Sequence, residues 1–160
     1  MQCIAGVLSL LIVLCSGVAA QDSTDFSGRY RLVAIKSESP SKKVPASTLT
    51  IIHREGTLER TEVTDGKVLV SRYTLDGKEC KNITSGGAPA TDKAQLKGKN
   101  IIIRSIVPLN APAPAASSVI TTEKWELSKD SAKLTIHSKI EFPGMAMLDS
   151  SSTEVYSREP

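Results

Sequence analysis

From Val119 to Phe142 the chain alternates in character. Val119, Thr121, Glu123, Trp125 and Leu127 fall on one face of an extended segment, and Leu134, Ile136, Ser138, Ile140 and Phe142 fall on one face of the next. Successive side chains of a strand point to opposite sides, so a period of two held over neighbouring segments predicts a half-buried antiparallel sheet. Lys129-Asp130-Ser131-Ala132 predicts the turn between the two arms. The same reading places strands over 25–36, 48–54, 57–64, 67–75, 78–84, 92–97, 100–107 and 151–158, the run Ile101-Ile102-Ile103 being especially β-prone. Asp65-Gly66 and Asp76-Gly77 are hairpin signals. No stretch after the first twenty residues repeats at 3.6, so almost no helix is expected there.

The connections sort by parity. If the strands run alternately up and down, Glu55-Gly56, Asp76-Gly77, Gly98-Lys99 and Lys129 to Ala132 share one end, all of them tight. The other end collects 37–47, 85–91, 108–117 and 143–150, all long, with Asp65-Gly66 its sole short member. A meander of this kind removes its open edges by closing on itself. The expectation is an all-β fold, an up-and-down antiparallel β-barrel of about ten strands. Eight strands are about enough for side chains to fill a barrel, so ten predict interior space, with the mouth at the long-loop end.

Residues 1–20 carry no charged side chain, run apolar from Ile4 to Cys15, and end Ser16-Gly17-Val18-Ala19-Ala20. That describes a secretory signal cut after Ala20, and the apolar run is short of the ~20 residues a spanning helix needs. The expected organisation is a signal peptide over 1–20 and one barrel domain over 21–160, secreted or periplasmic, with no later transmembrane segment. Cys3 and Cys15 would leave with the signal and strand Cys80, so stability must come from packing rather than from an internal disulfide. The 20 Lys and Arg are scattered among 17 acids, and aromatics are only 4%, which leaves no footprint for nucleic acid.

Candidate chemistry is sparse. His53 and His137 lack a neighbouring Cys or Asp cluster, so no metal is expected; no cofactor motif appears, and neither Gly-x-Ser-x-Gly nor a Cys–His pairing supports an enzyme. Asn82-Ile83-Thr84 is a glycosylation sequon where the host glycosylates. Trp125 shares a face with Leu127 and Val119, a core position or a cavity wall. Glu123 on that face needs a cation, for which Arg72 and Arg104 are candidates, unless a bulge turns it outward. Met145, Met147 and Leu148 put apolar, adaptable side chains on a mouth loop, as a ligand portal, a protein contact or a plug.

Both termini carry a resemblance. Phe26-Ser27-Gly28-Arg29-Tyr30-Arg31-Leu32-Val33 resembles the opening strand of lipocalins and fatty-acid-binding proteins, and Thr153-Glu154-Val155-Tyr156-Ser157-Arg158 is similar to the closing strand of the latter. The Trp-Glu-Leu-Ser-x-Asp run at 125–130 resembles secreted lipocalin-like bacterial proteins of unassigned function. The resemblance implies a lipocalin-like barrel holding a small hydrophobic or amphipathic ligand. Tyr156 matches the family's closing motif, while Glu154 stands where its carboxylate-binding arginine would be, which reverses the charge offered to a fatty acid. The expected contacts are Tyr30 and Trp125 as walls and Glu123, Glu154 and Tyr156 as polar groups. The alternative is an interaction module that grips a protein through apolar mouth loops around a filled barrel.

Overall fold

The alternating segments become one sheet of ten strands: β1 (Gly28–Ser37), β2 (Ser47–Arg54), β3 (Thr57–Thr64), β4 (Lys67–Thr74), β5 (Asp76–Ile83), β6 (Pro89–Lys97), β7 (Asn100–Pro108), β8 (Ser118–Leu127), β9 (Lys133–Glu141) and β10 (Ser150–Arg158). The structure, a computed structural model, describes residues 24–37, 45–109 and 117–160. The expected signal segment, most of the 37–47 loop and most of the 108–117 loop lie outside the described residues. Among the described residues the single helical element is one 3-10 turn at Ala146–Leu148, and no helix is long and apolar enough to cross a membrane.

Strand order is β4-β3-β2-β1-β10-β9-β8-β7-β6-β5, every hydrogen-bonded pair antiparallel. The chain meanders, with β10 returning to pair with β1 and nearly closing the ring. The parity reading holds: Glu55-Gly56, Gly98-Lys99 and residues 128–132 turn the chain at one end, and residues 84–88 and 142–149 connect strands at the other. Asp65 (φ +49°) and Gly66 (φ +80°) both take the left-handed conformation that a two-residue hairpin of type I′ requires.

Asp76-Gly77 does not form the hairpin expected of it. Leu75 alone separates β4 from β5, and Gly77 (φ +82°) lies inside β5, where the register with β6 shifts between Asp76 and Glu79. Gly77 is required there by its conformation, while a Cβ would press only on the end of the Gln95 side chain, which can move aside. The bulge leaves β4 and β5 side by side without a backbone ladder. Side chains replace it. The Asn82 Oδ1 accepts from the Arg72 N–H at 3.0 Å while its Nδ2 donates to the Arg72 carbonyl at 3.0 Å, and the Cys80 Sγ accepts from the Thr74 N–H at 3.3 Å. The amide of the sequon asparagine is thereby engaged in the seam, and the lone half-buried thiol is part of the same stitching.

The apolar core fills the half of the barrel nearest the tight turns. Phe26, Tyr30, Leu49, Leu58, Ile101, Trp125 and Leu134 are all fully or almost fully buried there. A bulge between Leu32 and Ala34 turns Val33 outward, half exposed, and lets Ile35 pack against the core from the inner face. The mouth half is different. Its inward register positions, among them Leu69, Val107, Val119, Thr121, Ile140 and Ser152, keep partial exposure.

Candidate functional site

Between those halves lies a layer of polar side chains, and its centre is Arg60. On β3 the alternation that buries Leu58 also points Arg60 and Glu62 inward. On β8 it points Glu123 and Trp125 inward. β3 and β8 are separated by four strands whichever way round the ring they are counted, so the two meet only by reaching across the lumen. The Arg60 Nη1 lies 3.3 and 3.1 Å from the two carboxylate oxygens of Glu123, and its Nη2 donates to Glu62 at 2.7 Å. The Trp125 Nε1–H donates to Glu123 at 2.8 Å, and the guanidinium carbon stands 5.4 Å from the indole centroid.

This cross-lumen bridge floors the mouth half and caps the core. With the Arg60 side chain only 13% exposed, burial pulls the guanidinium toward neutrality. The Glu123 and Glu62 carboxylates outweigh that pull and hold its pKa above the ordinary arginine value. Glu123 thus faces inward as the alternation requires, but its cation is neither Arg72 nor Arg104. Arg72 pairs with Glu59 at 2.8 Å, and Arg104 is exposed. Both sit on the register opposite the lumen-facing residues of their strands.

Around the bridge stand four more polar residues. The Tyr156 hydroxyl donates to Glu154 at 2.8 Å. Burial, and then the Glu154 charge, push the Tyr156 pKa well above the ordinary phenol value; burial likewise raises that of Tyr73 to about 12. Asp92 is 2% exposed: its Oδ2 accepts from Asn82 at 2.8 Å, and its Oδ1 has no hydrogen-bond partner among the described residues. At the mouth edge of this layer, Glu62, Thr64 and Leu69 open into a cleft of about 580 Å³ that continues past Val68, Ile83 and the 84–87 loop. A larger groove, about 750 Å³, runs over the outer face past Thr122, Lys124, His137 and Lys139. Lys124 and Lys139 are already paired there with Glu126 and Glu141, which makes it a solvated surface.

No protein-family model matches the sequence, and no curated protein matches it. Solved structures do match in shape. A fatty acid transporter titled REP1-NXSQ superposes with a TM-score of 0.64 at 14% identity, over 86% of this chain and 98% of that one. Lipid binding protein 8 of Caenorhabditis elegans gives 0.61 at 11%, over 84% and 95%. Zebrafish ileal bile acid-binding protein, complexed with cholic acid, gives 0.60 at 13%, over 84% and 98%. The fold is that of the fatty-acid-binding proteins.

Within this fatty-acid-binding-protein fold the residues expected at the site divide in two. Glu123, Glu154 and Tyr156 join the polar layer. Tyr30 and Trp125, each 0% exposed, belong to the packed half. Tyr30 donates to the Phe26 carbonyl at 3.0 Å and lies under Arg158, whose Nη2 donates to its hydroxyl at 2.6 Å. His53 also turns out to face the packed end: its Nδ1 accepts from the Phe26 N–H at 3.4 Å, and its ring meets Phe26 edge-on. Met147 is 90% exposed and Leu148 half-exposed on the 142–149 loop; the backbone N–H of Met145 donates to the Phe142 carbonyl at 2.8 Å. Among the described residues no three potential metal ligands gather.

Glu154 supplies a measurable consequence. Burial raises its carboxyl pKa more than the Tyr156 hydrogen bond and Arg60 lower it. The folded chain therefore holds this proton to higher pH than the unfolded chain does, and stability falls as pH rises from the ordinary value of 4.5 through the folded one. Thermal melts should show Glu154→Gln gaining on the parent protein as pH climbs through that window, holding the gain above it and converging with the parent below. A constant offset at every pH would contradict the assignment.

Proposed function

We propose that this protein is a non-enzymatic binding protein for a small, partly apolar molecule. The ligand is held in the mouth half of the barrel above the Arg60–Glu123 bridge. The observation that carries the reading is the division of the interior: a packed half that gives stability, a polar floor, and above it a mixed apolar and hydroxyl wall that retains access to solvent. A barrel meant only to be solid has no use for a charged bridge across its middle, because apolar side chains of the same volume would hold it as well or better. The likeness in shape to proteins titled as fatty acid, lipid and bile acid binders supports the reading. Export by the first twenty residues is part of the proposal, supported by their apolar run and small-residue end.

Native mass spectrometry of protein taken from its own host tests this. A bound small molecule is expected, and the emission of Trp125, the chain's one tryptophan, should respond to a neutral hydrophobic dye through the polar layer it helps to build. A ligand-free mass together with a flat dye titration would reject the binding role. If Met145→Ser with Met147→Ser then released a protein partner, the exposed 142–149 loop would be the working surface instead.

A further inference from the structure

The charges inside the barrel do not balance, and the imbalance points to the kind of ligand. The polar layer holds four carboxylic side chains, Glu62, Asp92, Glu123 and Glu154, and one cation, Arg60. Arg60 already pairs with two of them, Glu123 at its Nη1 and Glu62 at its Nη2, which leaves only its buried Nε–H without a hydrogen-bond partner among the described residues. Neither Asp92 nor Glu154 has an ion-pair partner among the described residues. The other inward cations are elsewhere. Arg158 lies against the Tyr30 ring in the packed half, and Lys67 stands exposed at the rim.

Asp92 is the sharper case. Its side chain comes from β6 between the buried Ala90 and Ala94, and the residue is 98% removed from solvent. One oxygen accepts from Asn82, and the other has no donor among the described residues. A buried carboxylate oxygen left without a donor costs free energy that a bound donor, above all a cationic one, would recover. Above this layer the wall is mixed, apolar at Leu69, Val107, Val119 and Ile140 and hydroxylic at Thr121 and Ser152. Carboxylates at depth and an uncharged, partly apolar wall toward the mouth suit a molecule that enters head first.

We propose that the ligand is an amphipathic cation, an amine or ammonium compound with an apolar body, whose charged head is held by the carboxylates Arg60 leaves unpaired, Asp92 first and Glu154 second. This rests on the binding role proposed above and names its ligand class. It also sets the chain apart from a fatty-acid carrier, because a carboxylate head placed in this layer would meet four acids for one committed arginine.

Dodecylamine, dodecanol and dodecanoic acid carrying the same dansyl tag form the test set, titrated at neutral pH against the purified protein. The amine should bind at least about tenfold tighter than the alcohol, and the acid weakest, as one charge-assisted hydrogen bond would produce. Asp92→Asn should bring the amine to within about twofold of the alcohol, and Glu154→Gln should narrow the same gap to a smaller extent. Circular dichroism confirms that each variant is folded, and Glu154→Gln serves if Asp92→Asn is not. Equal affinity for amine and alcohol, or preference for the acid, overturns the cationic class and leaves the binding role standing. Failure of all three compounds removes both.

Discussion

Arg60→Met destabilises the barrel by about 3–5 kcal/mol, read as a shift in the urea midpoint, because it strands two carboxylates that have no other cation among the described residues. The size follows from burial rather than from the existence of an ion pair. The Arg60 side chain is 13% exposed and Glu123 19%, and the pair reaches across the lumen between strands that share no ladder. Exposed pairs such as Arg72–Glu59 contribute at most about 1 kcal/mol, so Arg72→Met serves as the internal control. Adding Glu123→Gln to Arg60→Met should recover part of the loss, since the neutral amide leaves Glu62 as the single stranded carboxylate. A single-variant loss under about 1 kcal/mol would mean that water already reaches the bridge, and the polar floor would then not exist.

Trp125→Ala is the second large effect, also about 3–5 kcal/mol, from the cavity left by a side chain with no solvent exposure. It removes two further things at once: the Nε1–H bond to Glu123 at 2.8 Å and the aromatic face under Arg60. Trp125→Phe separates the contributions. It keeps most of the packing and loses the donor, for an expected cost of about 1.5–3 kcal/mol, the range for a hydrogen bond to a charged group. Far-UV circular dichroism has to follow these unfolding curves, because the chain's one tryptophan is the residue removed. Trp125 and Arg60 share Glu123, so the double variant should cost less than the two single losses added together. Strict additivity would show that the indole and the guanidinium do not act on one carboxylate. Either loss is large beside the 5–15 kcal/mol that holds a typical domain together.

The site was legible in part. Glu123 and Trp125 declare themselves because they interrupt and complete an alternation whose other members, Val119, Thr121 and Leu127, carry no charge, and a carboxylate on such a face requires a cation. Which cation was not legible. Arg72 and Arg104 both lie nearer Glu123 in sequence than Arg60 does, and choosing among the three needs the facing of each strand and the ring order that sets β3 opposite β8. One signal was available: Leu58 and Arg60 are two apart, so whichever face buries the leucine carries the arginine with it. Asp92 offered a weaker one, alternating with Ala90 and Ala94, small residues whose burial in a strand is easily overlooked. Asp76-Gly77 misled because a left-handed glycine suits a hairpin turn and an in-strand bulge equally, and only the pairing with β6, whose register shifts between Asp76 and Glu79, separates them.

Period-two patterning, turn chemistry and connection length belong to the sequence, because each is set by residues within a few positions of one another. They determine ten strands, an up-and-down order and a mouth at the long-loop end. Closure is another matter. Where the ring meets itself without a ladder, which half packs solid, and which charges face one another across the lumen depend on contacts between residues tens of positions apart. Arg60 and Glu123 are 63 residues apart, and Tyr30 and Arg158 are 128. No local rule reaches that far; only the shear and facing of the closed barrel bring such residues together, and the charge of the pocket is decided there.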